Sequence, residues 1–222
     1  MLEKQLGQVI KCDILPPETY LAGGTAVYFY LKHRVSVDLD FFTPTDFSAE
    51  IFVHNIKKCF QDVYVELMEK KTVILYISKE KIQLSLFFFP YECLNNTHPY
   101  ALQNDITCPL ASWEDIEAMK AVAISQRGSA KDFIDLYFML KKTAHTWDDI
   151  LKFVMKKYGL KRDYEYPLKT SFVYFEDAED EIENIIMAKQ NGKTEKIKKQ
   201  DWEEIKRFFK GWTASTPYRS RS

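Results

Sequence analysis

No C-x-x-C pair joins any of the four cysteines (Cys12, Cys59, Cys93, Cys108), and the four histidines are equally scattered. Neither a zinc site nor a disulfide framework is suggested, so free thiols and a cytoplasmic location are expected. A long apolar run is missing as well. The most apolar stretch, LSLFFFPY, is far too short to cross a bilayer, and the opening MLEKQLGQVI lacks the hydrophobic segment of a signal peptide. No membrane partner is expected. An excess of one charge sign is also absent: the formal net charge is -1. A nucleic-acid partner would therefore have to meet a local basic patch, because the whole molecule offers it no attractive field. Internal repeats are absent too.

What is present is ordinary soluble composition, with 46% apolar and 28% charged residues. The 222 residues suit one large domain or two small ones. The texture changes near Leu110. Before it, TYLAGG is a short apolar approach to a glycine turn, TAVYFYLKHR is a helix and VDLDFFT a strand. SAEIFVHNIKKCF is an amphipathic helix with Ser48 as its N-cap. VYVELMEKKTVILYISKEKIQLSLFFFPY then gives strands with polar turns at Lys70-Lys71 and 79–81. This order predicts an α+β fold, a mixed sheet with helices on one face. After Leu110 helices dominate. Ser112 with Asp115, and Ser129 with Asp132, resemble capping boxes, and Gly128 between them is a helix stop. Further helices are expected at about 146–158, 166–189 and 202–210, with KQNGKTEKIKKQ as a polar connector and ASTPYRSRS as a loose tail.

Two stretches do not fit a purely structural purpose. In VDLDFF, strand alternation sends Asp38 and Asp40 to one face and Leu39 and Phe41 to the core face. Adjacent carboxylates repel, which raises one pKa unless a cation sits between them; Mg²⁺ held by a couple of carboxylates and substrate phosphates is the usual remedy. Upstream, Gly23-Gly24 lets backbone approach a ligand closely, and the helix start at Thr25 offers N–H groups to a phosphate. The plainer alternative is a solvent-facing edge and ordinary turn chemistry. In EAMKAVAISQRGSAKDFIDLYFML, Lys120 and Arg127 share a helix face, opposite an apolar side of Ile116, Met119, Val122 and Ala123. The next helix carries Asp132 and Asp135, with Phe133, Leu136, Tyr137 and Leu140 as its core stripe. Here the cations would reach nucleotide phosphates and the acids would hold them in place; alternatively Asp132 caps its helix and Asp135 pairs with Arg127.

Together these stretches resemble the AbiEii/AbiGii toxin family of nucleotidyltransferases, within the polymerase-β-like minimal nucleotidyltransferase superfamily. The family's first motif, G-G-T-A, a helix, then R-x-S-x-D-L-D-F, is matched by GGTA, Arg34, Ser36 and DLDF. Its Lys, Arg and K-D-x-x-D-L motif is matched by Lys120, Arg127 and KDFIDL, and FVYFEDAED is similar to a segment of relatives of this length. The likeness runs from about residue 20 to about residue 209. It implies a nucleotidyltransferase core over 1–110 and a helical domain over 111–222 that completes the active site. It also implies Mg²⁺ (or Mn²⁺)-dependent transfer of a nucleotidyl group from an NTP to an acceptor. In the family that acceptor can be tRNA, and the enzyme is the toxin of a toxin–antitoxin or phage-defence pair, so a cognate antitoxin is an implied partner. By the same resemblance Asp38 and Asp40 are the metal ligands, and Lys120 and Asp132 join them as catalytic residues. Gly23, Gly24, Thr25, Arg34, Ser36, Arg127 and Asp135 bind the nucleotide.

One departure stands out. Where many nucleotidyltransferases carry a third carboxylate, KIQLSLFFF offers Gln83 and Ser85, neither a good Mg²⁺ ligand. Asp132 or Asp135 would then supply the missing charge, or a single metal is used. The alternative function is a weakened nucleotide-binding or antitoxin-binding module. A path for an RNA backbone is offered by Lys156, Lys157, Lys161, Arg162, Lys193, Lys196, Lys198 and Lys199, unless these are simply solvated helix faces.

Overall fold

Alternating burial along the strands decides where the sheet's core face lies. The structure, a computed structural model, describes residues 2–103, 106–189 and 192–215. It divides into two compact units, Met1–Phe29 with Ser36–Ser112, and Tyr30–Val35 with Trp113–Ser222.

The first unit runs α1 (Leu2–Lys11), β1 (Tyr20–Leu21), α2 (Gly23–Leu31, whose last residues belong to the other unit), β2 (Leu39–Thr43), α3 (Ala49–Cys59), β3 (Val63–Glu69), β4 (Thr72–Ile77), β5 (Ile82–Phe88), β6 (His98–Ala101) and β7 (Thr107–Leu110). Its seven strands lie in the order β3-β4-β5-β2-β1-β7-β6, with β2/β5 and β1/β7 parallel and the other pairs antiparallel. The mixed sheet expected from sequence is therefore present. Leu39, Phe41, Val73, Leu75, Ile77, Leu84 and Leu86 are buried on one face, and α3 packs on β3 and β4. Ser48 caps α3 as expected, its Oγ accepting from the Ile51 N–H at 3.2 Å. α1, β6 and β7 are not among the elements expected from sequence, although α1 is amphipathic, burying Leu6 and Val9; Pro99 sits on β6, an edge strand, where no ladder hydrogen bond is lost. Cys12, just past α1, and Cys59, at the end of α3, are disulfide-bonded with Cα atoms 6.2 Å apart. The expectation of four free thiols is thereby corrected; Cys93 and Cys108 are outside this disulfide.

The second unit contains α4 (Trp113–Arg127), α5 (Ala130–Thr143), α6 (Trp147–Tyr158), α7 (Glu165–Ser171), α8 (Glu176–Glu179), β8 (Ile186–Ala188), β9 (Thr194–Lys196) and α9 (Lys199–Ala214). Gly128, at φ +58°, turns the chain between α4 and α5. The α5 stripe of Phe133, Leu136, Tyr137 and Leu140 is buried as expected. Phe133 meets Phe175 at 5.0 Å and Phe209 at 5.4 Å, and Phe172 meets Trp147 at 5.5 Å, an edge-on aromatic core.

The continuous helix expected over 166–189 is instead α7, α8, a short 3₁₀ turn and β8. Two packing demands break it. Phe172 and Phe175 both enter the aromatic core. Glu181 also turns to the start of α5, where its Oε2 accepts from Ser129 Oγ (2.5 Å) and the Ala130 N–H (3.0 Å). That carboxylate, rather than Asp132, serves the α5 N-terminus. The connector KQNGKTEKIKKQ contains β9, while its Gln190 and Asn191, like residues 216–222 of the tail, lie outside the described residues. Among the described residues, no helix is long and apolar enough to cross a membrane.

Candidate active site

Asp40 is the second residue of β2 and Asp38 immediately precedes that strand, so both side chains leave the face opposite Leu39 and Phe41. Both are half-buried, whereas Leu39 and Phe41 are buried. Parallel pairing sets Asp40 against Ser85 and Leu39 against Leu84, which brings Asp38 level with Gln83. β5 thus places a hydroxyl and an amide beside the acids, with no carboxylate in the strand. Among the described residues no three His, Cys, Asp or Glu side chains converge as a metal cluster.

The glycine turn is fitted to Asp40. Gly23 has φ +67°, and a Cβ added there would lie 2.6 Å from Asp40 Oδ2. Only a residue without a side chain allows the carboxylate to sit against the helix start. The Ala22 N–H donates to the Asp40 carbonyl (3.0 Å), fixing the turn to the strand. Thr25, buried, donates its hydroxyl to the Asp38 carbonyl (2.5 Å) and lies 3.0 Å from Ser36 Oγ. Gly23, Gly24, Thr25, Ser36, Asp38 and Asp40 are therefore brought together in the first unit, as a loop–helix–strand wedge. Thr25 and Ser36 orient the backbone of Asp38. The donor set suits Mg²⁺ or Mn²⁺: two hard carboxylate oxygen donors, half-open, beside a helix N-terminus.

The other predicted residues gather in the second unit. α4 is buried around most of its circumference, so its charged residues need partners inside the protein. Asp115 pairs with Lys157 at 2.6 Å, both fully buried, and Glu117 Oε2 pairs with His145 at 2.7 Å. Lys157 is consequently withdrawn from the basic path envisaged for RNA. Lys120 is buried, and its Nζ donates to Asp132 Oδ1 (2.7 Å) and lies 2.6 Å from Asp135 Oδ2. Arg127 Nε and Nη2 donate to the two Asp132 oxygens at 2.7 and 3.0 Å. Arg34 donates bidentately to Asp135, Nε to Oδ1 at 2.6 Å and Nη2 to Oδ2 at 2.7 Å. His33, which no sequence pattern marked, donates from Nε2 to Asp135 Oδ1 at 2.7 Å; an ionised carboxylate cannot donate, so the ring proton must be on Nε2. The backbone of this segment is held by the Ala188 N–H donating to the His33 carbonyl (2.9 Å) and the Val35 N–H donating to the Ile186 carbonyl (2.8 Å).

The electrostatics are those of a buried, mutually paired network. Burial alone would raise the Asp135 pKa, but the charges of Lys120 and Arg34 outweigh it and hold the carboxyl far below its usual range. Asp132 behaves likewise, with Lys120 and Arg127 outweighing burial. Burial pulls Lys120 down, and Asp132 and Asp135 more than reverse this. Burial also lowers His33, more strongly than Asp135 raises it, which keeps the ring neutral. Lys120 bridges the two carboxylates, with Arg34 on Asp135 and Arg127 on Asp132. Lys120 retains one ammonium N–H beyond its two acids, and Arg127, with its side chain 64% exposed, is the member that reaches the surface.

Comparison with known proteins shows the family to which the chain belongs. A family model described as "Nucleotidyl transferase AbiEii toxin, Type IV TA system" matches residues 6–215. The uncharacterized protein aq_aa25 of Aquifex aeolicus (strain VF5) is 37% identical over 195 residues, spanning 86% of this chain and 84% of its own length. Among solved structures, MenT4, a nucleotidyltransferase toxin from Mycobacterium tuberculosis H37Rv, superposes with a TM-score of 0.59 at 15% identity, over 97% of this chain and 85% of that one. That likeness establishes the shared nucleotidyltransferase fold. The family match runs through nearly the whole chain, and the protein belongs to the AbiEii family of nucleotidyl transferase toxins of type IV toxin–antitoxin systems.

Proposed function

We propose that this enzyme transfers a nucleotidyl group from an NTP to the hydroxyl of an RNA acceptor such as tRNA, with the carboxylates of Asp38 and Asp40 as the reacting centre. The observation that carries this is the fit of Gly23 against Asp40: the chain adopts a left-handed glycine so that a carboxylate can lie against a helix start. In the transfer, the acceptor oxygen forms a bond to the α-phosphorus as the bond to pyrophosphate breaks. Asp38 and Asp40 would hold Mg²⁺ or Mn²⁺, which when bound neutralises phosphate charge as it develops. Gly23, Gly24 and Thr25 present backbone to the phosphates, while the Thr25 hydroxyl and Ser36 keep Asp38 in place. Lys120 and Arg127 are assigned to phosphate charge on the family resemblance. Asp132, Asp135 and Arg34 orient them. Regulation by a cognate antitoxin follows from the family's description as a toxin.

The test is incubation with α-labelled NTPs, Mg²⁺ and total tRNA. Wild-type protein labels RNA and Asp38→Ala does not. A second function, nucleotide binding without turnover, is favoured by Ser85 standing opposite Asp40. It is selected if no acceptor is labelled while NTP still raises the melting temperature.

A further inference from the structure

The face of the sheet that bears the two aspartates extends well past them. Register carries one row across four strands: Tyr64 on β3 pairs with Tyr76 on β4, Tyr76 with Gln83 on β5, and Gln83 is level with Asp38. Laterally paired residues share a face. On β4 and β5 the intervening residues Leu75, Ile77, Ile82 and Leu84 are buried on the opposite face, so this row belongs to the accessible one. Tyr64 is 68% exposed on an edge strand. Its ring lies 6.3 Å from that of Tyr76 at 33°, so the two form a side-by-side aromatic floor. A polar chain continues from it: Tyr76 Oη donates to Gln83 Oε1 (3.4 Å), and Gln83 Nε2 donates to Ser85 Oγ (3.3 Å), the residue paired with Asp40. Ser85 is buried, but Tyr64, Tyr76 and Gln83 are not, and the apolar core of these strands lies on the other face.

We propose that this row is the acceptor platform, a seat for the single-stranded 3′ end of a nucleic acid, with bases stacked on Tyr76 and Tyr64 and Gln83 hydrogen-bonded to a base edge. The inference rests on nucleotidyl transfer at Asp38 and Asp40. Adjacent strands are about 4.8 Å apart, which puts the Tyr76 strand about 10 Å from that of the acids, within reach of a short 3′ end whose hydroxyl is at the reacting centre. Stacking suits an acceptor read with little base selectivity, since every base offers a π-face. The turn joining β4 to β5 carries the exposed Lys79 and Lys81 close to the Tyr76–Gln83 pair, where they would meet phosphates. Burial, and after it the charge of Glu66 beside the hydroxyl, raise the Tyr76 pKa, so that the phenol stays protonated. A peptide acceptor would have no use for two adjacent flat rings next to an amide.

The test is fluorescence anisotropy with a 5′-labelled single-stranded RNA oligonucleotide bearing a free 3′-hydroxyl, titrated with wild type, Tyr64→Ala, Tyr64→Phe and Gln83→Ala. Tyr64 is exposed, so its variants fold, which thermal melting checks. Tyr64→Ala weakens binding about 5- to 100-fold, Tyr64→Phe binds as wild type, and Gln83→Ala weakens it less than Tyr64→Ala. Equal affinity of Tyr64→Ala and wild type overturns the platform. Parallel labelling with α-labelled NTP separates the two ideas. RNA labelled by wild type, with an affinity indifferent to Tyr64, leaves nucleotidyl transfer standing and removes the platform. Tyr64-dependent RNA binding with no labelled acceptor supports the platform and removes the transfer. Label on a protein band in place of RNA overturns the platform's role as acceptor seat.

Discussion

Replacing Asp135 by Asn tests whether the charge network is a strong structural element. Asp135 is fully buried and accepts from His33, from both Arg34 nitrogens and from Lys120, all within 2.7 Å. Asparagine conserves volume but removes the charge and points an NH₂ donor at one of the cations. Buried Arg34 loses the carboxylate it grips bidentately, and buried Lys120 loses one of its two acids. Removing one partner of a buried, hydrogen-bonded ion network costs about 3–5 kcal/mol. For a chain of this length each kcal/mol lowers the melting temperature by about 2–4 °C, so the fall should be about 6–20 °C. Arg127→Ala is the internal control. Its side chain is 64% exposed and Asp132 keeps Lys120, so its cost should be about 0–1 kcal/mol. Differential scanning calorimetry on wild type and both variants measures this directly. A loss below about 1 kcal/mol for Asp135→Asn, or equal losses for the two variants, would refute the assignment of the network as buried and mutually dependent.

Other outcomes follow from the same geometry. Gly23→Ala places a Cβ 2.6 Å from Asp40 Oδ2 on a backbone at φ +67°, so nucleotidyl transfer should collapse and stability fall by about 1–2 kcal/mol, read by labelling and melting. Lys157→Met leaves Asp115 buried without its cation and should cost about 3–5 kcal/mol by chemical denaturation, with no direct effect on chemistry. Acid should act in two windows. Folding lowers the His33 pKa below 6.5, so the unfolded chain takes up that proton first and stability declines as pH falls below about 6.5. The contribution of Asp132 and Asp135 is complete above 3.8, their ordinary value, and is lost as pH falls below it. Melting temperatures between pH 7 and 3 should show both declines, and His33→Gln should flatten only the upper one.

The parts of the fold visible beforehand were those fixed by short-range periodicity. Alternation alone sends Asp38 and Asp40 to one face and Leu39 and Phe41 to the other, and the structure agrees. Helical spacing gave the α5 stripe, and Gly128 the turn before it. Partnerships were invisible because they join distant residues: Arg34 and Asp135 are 101 positions apart, and Lys157 and Asp115 are 42 apart. Lys120 on a helix surface and Lys120 buried against two acids look identical in sequence. Asp132 resembled a cap for the same reason, since nothing local shows that Glu181, 51 residues from Ala130, takes that duty. A single helix is expected over 166–189, but the chain breaks there as Phe172 and Phe175 enter the aromatic core. Cys12 and Cys59 gave no spacing signal because their proximity depends on how α1 and α3 pack.

The central claim, that the carboxylates on β2 carry nucleotidyl transfer, is tested most directly by single-turnover transfer from α-labelled NTP with Mg²⁺. Wild type is compared with Asp38→Asn and Asp40→Asn. Both side chains are half-buried, so the variants should melt close to wild type while the rate falls at least about 100-fold in each. Transfer at the wild-type rate by either variant, with melting unchanged, would contradict the claim.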